Sequence, residues 1–281
     1  MNEPLILDGK VLAAEIQADL QGRAAAVIEK TGVKPVLATI LVGDNPASVM
    51  YVRMKANACA RVGIESLKIV MPETATTGEV LAEIDKLNGD GNVSGILLQH
   101  PVPAHIDEQR CFNAIAFEKD ADGVNISSFW AMAMQLDGFK SATPLAIMSI
   151  LERYNIAVAG KRAVVIGRSP ILGKPAAMLL LNADATVTVC HSKTRDLPDI
   201  TRTADILVAA VGRPLFVKAD WVKEGAVIID AGYNEGNVGD VDLENAARKS
   251  RAYTPVPGGV GPVTIIKLIE QTIIAAERRL T

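Results

Sequence analysis

Cysteine and histidine are both scarce in this chain, and the scarcity excludes several kinds of chemistry. Only three of the 281 residues are cysteine and three are histidine. Cys59, Cys111 and Cys190 are odd in number and widely spaced, so they read as reduced, buried thiols and not as a disulfide framework or a metal knuckle. His100, His105 and His191 form no ligand cluster, so no metal is expected. Basic residues are not in excess: the net charge is −3, which gives no footprint for nucleic acid. No apolar run approaches membrane-spanning length, so no membrane partner is expected. The opening residues Met1-Asn2-Glu3-Pro4 lack the basic and apolar regions of a secretory signal, which makes the expected location cytoplasmic.

What the chain does have is a globular composition, 49% hydrophobic and 22% charged, and enough length for two domains with cores of their own. Apolar runs alternate with helical patterns. Val36–Val42, Ser66–Met71 and Val93–Leu98 read as strands, with an amphipathic helix over Gly78–Leu87. That alternation predicts an α/β unit with a largely parallel sheet. Thr143-Pro144 opens a helix to about Tyr154, and Arg162–Ile166, Thr186–Cys190, Ile206–Ala210 and Ala226–Ile229 follow as short strands. A last helix runs from Gly261 to about Arg278 and is expected to pack back on the first domain. The predicted fold is therefore two α/β domains, the second Rossmann-like, with the active site in a cleft between them. The expected boundaries are 1–143 plus 262–281 for one domain and 144–261 for the other.

The block Val42-Gly43-Asp44-Asn45-Pro46 leads into a helix carrying Tyr51 and Lys55. Asn45 suits the N-cap, and Pro46 suits the first helical position, where no backbone donor is lost. The i, i+4 spacing puts the Tyr51 ring and the Lys55 amine on one face. On spacing alone the plain reading is a surface lysine backed by a half-buried tyrosine. Gln99 directly follows the third strand, and active groups in parallel sheets gather at such carboxyl ends, so Gln99 can share a site with Lys55.

Gly167-Arg168-Ser169-Pro170-Ile171-Leu172-Gly173-Lys174-Pro175 sits between a strand and a helix, a context for cradling phosphate on a helix N-terminus. It is not a P-loop, because Pro175 stands where a hydroxyl would be needed to hold magnesium. An NAD site usually places a carboxylate after the next strand. This chain has His191-Ser192-Lys193-Thr194 there instead. Hydroxyls and positive charge from Arg168, Ser192 and Lys193 suit a 2′-phosphate, so the predicted cofactor is NADP.

Gln99-His100-Pro101-Val102-Pro103, Lys119-Asp120-Ala121-Asp122-Gly123, Val165-Ile166-Gly167-Arg168-Ser169 and Pro255-Val256-Pro257-Gly258-Gly259-Val260-Gly261-Pro262 join the Lys55 block in order along nearly the whole chain. Together they closely resemble the bifunctional methylenetetrahydrofolate dehydrogenase/cyclohydrolase family. The resemblance implies oxidation of 5,10-methylenetetrahydrofolate to the methenyl cation with NADP, then hydrolysis to 10-formyltetrahydrofolate. It implies Lys55 as the proton-transfer group, Gln99 as its neutral orienting partner and Tyr51 as a ring stacked on the folate. Asp122 is implied to accept from the pterin edge, while Asp120 supports or caps the loop. Pro257 and Gly258 are implied to contact the folate, in a glycine-rich loop that backbone alone can bring close to a flat ligand.

Gly167, Arg168, Ser169 and Ser192 are implied on the adenosine phosphate side, with His191 as a wall of that pocket. Gly212 and the segment around Tyr233 are implied at the carboxamide end of the nicotinamide. A homodimer is implied by the resemblance alone. The chain departs from the family pattern at His100, where leucine is usual, at Ala142 for cysteine, at Tyr233 for a small aliphatic residue, and most of all over 124–131. Two other readings stay open: a dehydrogenase with weak or absent hydrolase activity, and a non-catalytic NADP- or folate-binding module.

Overall fold

A computed structural model describes residues 3–280. In chain order it contains β1 (Leu5–Ile6), α1 (Gly9–Thr31), β2 (Val36–Val42), α2 (Pro46–Val62), β3 (Glu65–Met71), α3 (Thr77–Gly89), β4 (Val93–Leu98), α4 (Glu108–Ala114) and α5 (Ile126–Ala133). There follow α6 (Ala142–Arg153), β5 (Arg162–Ile166), α7 (Gly173–Asn182), β6 (Thr186–Cys190), α8 (Leu197–Thr201), β7 (Ile206–Ala209), β8 (Ala226–Asp230), α9 (Leu243–Ala246), β9 (Ser250–Tyr253) and α10 (Val260–Glu277). The chain divides into two compact units, Ala14–Ala142 with Ile265–Thr281, and Met1–Ala13 with Thr143–Thr264.

The first unit holds a parallel sheet in the order β3-β2-β4. β2 and β4 are mostly aliphatic, and every residue in them is buried, Thr39 and Ser94 included. α2 starts as its sequence dictates: the Asn45 side chain accepts from the N–H groups of Ala47 and Ser48, and Pro46 follows. Thr76 and Glu79 close a capping box at α3. The other end of α3 is held by a side chain distant in sequence: buried Lys119 donates to the carbonyls of Leu87, Asn88 and Asp90 at 2.7–2.9 Å. The part of α10 from Ile265 onward belongs to this unit. Arg23 on α1 makes a two-pronged ion pair with Glu277, and buried Gln271 bonds the carbonyls of Ala121 and Lys140 and the N–H of Lys140.

The second unit holds a six-stranded parallel sheet in the order β1-β9-β8-β7-β5-β6. Setting β1 aside, this is the doubly wound order 2-1-3-4-5, in which the direction of winding reverses between β5 and β7. The reading of residues 1–143 as a single domain is corrected at its start. Leu5 and Ile6 of β1 pair with Ala252 and Tyr253 of β9, and the N–H of Gly9 bonds the carbonyl of Gly258. A two-residue strand has no periodicity to read, so only its partner reveals it.

Gln271→Leu removes the partner of one buried and two half-buried backbone groups and is expected to cost about 2 kcal/mol, roughly 1 kcal/mol for the buried group and less for each of the others. Urea unfolding of the variant against the parent checks this, and an unchanged midpoint would contradict it.

Candidate active site and cofactor-binding loops

In the unit of β2, β3 and β4, the candidate groups converge at the carboxyl ends of the strands. The N–H of Gln99 bonds the carbonyl of Ile40, so the residue continues the ladder one step past β4 and its side chain is nearly buried. Its amide is fixed at both ends. Nε2 donates to the carbonyl of His100 at 2.6 Å, which turns Oε1 toward Lys55, whose Nζ donates to it at 2.9 Å. Helix α2 supplies Lys55, with Tyr51 one turn before it on the same face. Both side chains are half-buried.

The Lys55 ammonium is pushed below its ordinary pKa, because burial disfavours the charge more than the Asp122 carboxylate restores it. The carboxyl of Asp122 moves the other way, to about 6, again mainly by burial, with Lys55 opposing the rise and Asp120 adding to it. Each group thus senses the other, and the plain surface-lysine reading does not describe Lys55.

The loop that holds Asp122 is built for rigidity. Asp120 is fully buried and accepts from the N–H groups of Val124 and Asn125, so it has the supporting role expected of it. Gly123 has φ +63°, and a Cβ there would lie 2.3 Å from the Lys140 carbonyl carbon, so only glycine fits. The Asp122 carbonyl accepts from Ala142, whose side chain is buried. His100, at the position usually held by leucine, bonds Glu108 at 2.6 Å. Glu108 was not foreseen, because its spacing from His100 belongs to no recognisable motif. The divergent segment forms α5, capped by Asn125, with Ile126 and Trp130 exposed.

The other unit presents its candidates at the carboxyl ends of β5, β6, β7 and β8. The N–H of Gly167 bonds the carbonyl of Cys190, which sets the turn after β5 beside the turn after β6. Arg168 and Ser192 therefore follow adjacent strands, and both are exposed. A Cβ on Gly167 would lie 2.2 Å from the Ala210 carbonyl oxygen, and one on Gly173 would lie 2.3 Å from that of Gly167. Such a turn brings backbone and the start of α7 close to whatever binds there, as a phosphate requires. Ser169 braces the turn, its hydroxyl accepting from Gly173 at 3.3 Å. His191 holds its own turn together. Its Nδ1 accepts from the N–H of Lys193, and its backbone N–H bonds Thr194.

Gly212, with φ +63°, donates its N–H to Asp240. Tyr233 is 43% exposed, and its hydroxyl bonds Asn237. Gly258, with φ +108°, lies in the loop before α10 next to the Lys10 side chain. Pro257 precedes it there.

Two family models match the chain: the catalytic domain of tetrahydrofolate dehydrogenase/cyclohydrolase over residues 7–122, and its NAD(P)-binding domain over residues 141–280. The chain belongs to the tetrahydrofolate dehydrogenase/cyclohydrolase family. Bifunctional protein FolD of Cellvibrio japonicus is 58% identical over 276 residues, which is 98% of this chain and 99% of that protein. The crystal structure of the bifunctional enzyme FolD of Campylobacter jejuni superposes with a TM-score of 0.94 at 46% identity, covering 98% of this chain and 99% of that one. The Trypanosoma brucei dehydrogenase-cyclohydrolase, solved with NADP cofactor and an inhibitor, gives a TM-score of 0.96 at 36% identity over 100% and 99% of the two chains. Lys55, Gln99 and Asp122 all fall within the match to the tetrahydrofolate dehydrogenase/cyclohydrolase catalytic domain.

Among the described residues, no group of three or more His, Cys, Asp or Glu side chains is placed to hold a metal ion. No helix among them is long and apolar enough to cross a membrane. The three cysteines are buried and free.

The mutual influence of Lys55 and Asp122 is directly measurable. The Asp122 carboxyl carbon is expected to titrate by NMR near pH 6, and in Lys55→Met the midpoint should rise, because the charge that opposes the shift is gone. A midpoint in the ordinary range near 4, unmoved by the substitution, would contradict this geometry.

Proposed function

We propose that this protein oxidises 5,10-methylenetetrahydrofolate with NADP and hydrolyses the resulting methenyl cation to 10-formyltetrahydrofolate. The observation that carries the reading is the Lys55–Gln99 hydrogen bond, with the amine held below its ordinary pKa beside Asp122. When bound, NADP supplies the hydride acceptor. The chain's own residues do the rest. Asp122 accepts two N–H donors of the pterin edge, which orients the ring system. Tyr51 gives that ring a flat surface. Burial disfavours the charge on Lys55, so the amine opposes the methenyl cation less than an exposed ammonium would.

As water forms its bond to the methenyl carbon, Lys55 takes the proton. It returns that proton to the ring nitrogen as the carbon–nitrogen bond breaks, and the hydroxyl on the carbon releases its remaining proton to solvent as the formyl carbonyl forms. Gln99 aims the amine without bringing a charge that would raise its pKa. Pro257 and Gly258 are assigned to the folate. Gly167, Arg168, Ser169 and Ser192 are assigned to the adenosine 2′-phosphate side, and Gly212 and Tyr233 to the nicotinamide side. The absence of a carboxylate after β6 supports NADP over NAD.

The location is proposed as cytoplasmic and the assembly as a homodimer. β3 is an edge strand that exposes Leu67 and Val70, and α2 exposes Val49 and Met54. An exposed apolar edge is a template for pairing with a second copy. Light scattering on the eluted protein should give a dimer for the parent and a monomer for Val70→Asp; a monomeric parent refutes the proposal.

Lys55→Met is expected to abolish hydrolysis of methenyltetrahydrofolate, measured without nucleotide, by a factor of about a hundred or more, while NADP still binds. Parent protein that binds both ligands and turns over neither substrate would instead favour a binding module. Folate affinity should fall as pH drops through about 6, the Asp122 value, because a protonated acid no longer accepts at both oxygens. Asp122→Asn should bind folate weakly at every pH, and a pH profile like the parent's would remove Asp122 from this role.

A further inference from the structure

The ends of β7 and β8 are joined by a buried carboxylate that belongs to neither strand. Ala209 and Asp230 are partners in the register, and the N–H of Ala231 still bonds the carbonyl of Ala209. Beyond that point the two chains separate into the turns over 210–213 and 231–234. Asp240, fully buried, fills the gap between them. Its Oδ2 accepts from the N–H groups of Val211 at 2.6 Å and Gly212 at 3.0 Å, and its Oδ1 from the N–H of Arg213 at 2.9 Å and from Asn234 Nδ2 at 3.1 Å. Three successive N–H groups converge on one carboxylate because Gly212 is left-handed, which makes this turn an anion-binding nest closed by the protein itself.

The fit is tight from the other side too: a Cβ on Gly232 would lie 2.2 Å from Asp240 Cγ. Asp240 is in turn held by its own backbone. Its N–H donates to Asp230 Oδ1 at 3.0 Å, and its carbonyl accepts from Val217 at 2.9 Å. All four partners of the carboxylate are donors, and a carboxylate can satisfy them all.

We propose that Asp240 is a positioning residue for the nicotinamide end of the cofactor. By taking up the N–H groups of residues 211–213, it leaves that turn with carbonyl oxygens to offer. Those are the complement of the NH₂ of a carboxamide. It also locks the turn to the Gly232–Asn234 segment, so both pieces of backbone assigned to the nicotinamide move as one body. The inference rests on the NADP reading given above. Burying a carboxylate is costly unless its hydrogen bonds are complete, and an apolar side chain would fill the same gap without orienting either turn.

The test is calorimetric binding to the full chain, with NADP and with adenosine 2′,5′-bisphosphate, which has the phosphate end and no nicotinamide. Asp240→Asn keeps one acceptor oxygen but turns an NH₂ toward backbone donors. It is expected to raise the NADP Kd at least fivefold and to change the bisphosphate Kd by less than twofold. Equal weakening of both ligands would mean a purely structural role and overturn the proposal, as would no weakening of either. If the variant does not fold, Asn234→Ala removes one of the four bonds. It should raise the NADP Kd about twofold with the bisphosphate unaffected, and an unchanged NADP Kd would overturn the proposal. A parent protein that binds the bisphosphate and not NADP refutes the cofactor reading itself, which is a different result from either.

Discussion

The parallel run of the strands is the constraint on which the rest of this structure depends. Parallel neighbours cannot be joined by tight hairpins, so each strand is followed by a crossover, and every strand of a sheet ends on the same edge. In both units that edge collects the polar residues. Gln99 follows β4, the Gly43–Asn45 turn follows β2, and the glycine turns at 167 and 212 follow β5 and β7. The strands behind them are almost wholly buried, so these ends are where polar groups can sit close to apolar packing and still reach a ligand.

Partial desolvation at that edge is what gives the ionisable groups their character. Burial moves Lys55 down and Asp122 up, toward each other, while an uncharged amide joins the amine to the sheet. Had Gln99 been a carboxylate, the amine would be held charged and poorly suited to sit beside a cation. The other unit uses buried carboxylates for a different purpose. Asp230, raised to about 6 mainly by burial, accepts from the N–H groups of Gly232, Asp240 and Val241, and Asp240 accepts from residues 211–213. In one unit burial shifts an amine and a carboxyl toward each other; in the other, buried carboxylates fix the backbone of neighbouring turns.

Much of this was legible in the chain. β2, β4, β5 and β6 occupy the expected residues, because each is a short aliphatic or β-branched run bounded by turn residues. The start of α2 was legible from Asn45-Pro46, since capping is a local interaction. β1 and β9 were not, because β1 has only two residues, β9 is four residues of mixed polarity, and each is a strand only through partners distant in the chain. The grouping of residues 3–13 with the later part of the chain follows from that pairing. The long helix α1 was also missed, since its many alanines blur the contrast between its faces.

The sequence by itself determined the alternation of strands and helices, the caps, the missing carboxylate after β6, and the presence of Tyr51, Lys55, Gln99 and Asp122 in an order shared with a known family. These depend on neighbours a few residues apart, whose interactions survive in any context. Only the tertiary structure decided which way the Gln99 amide faces, that Lys55 is depressed and Asp122 raised, that Glu108 holds His100, and that Asp240 closes the nest at 211–213. Those outcomes depend on burial and on partners eight or more residues away along the chain. Desolvation and hydrogen-bond direction are properties of the folded surroundings, and no local pattern of residue types encodes them.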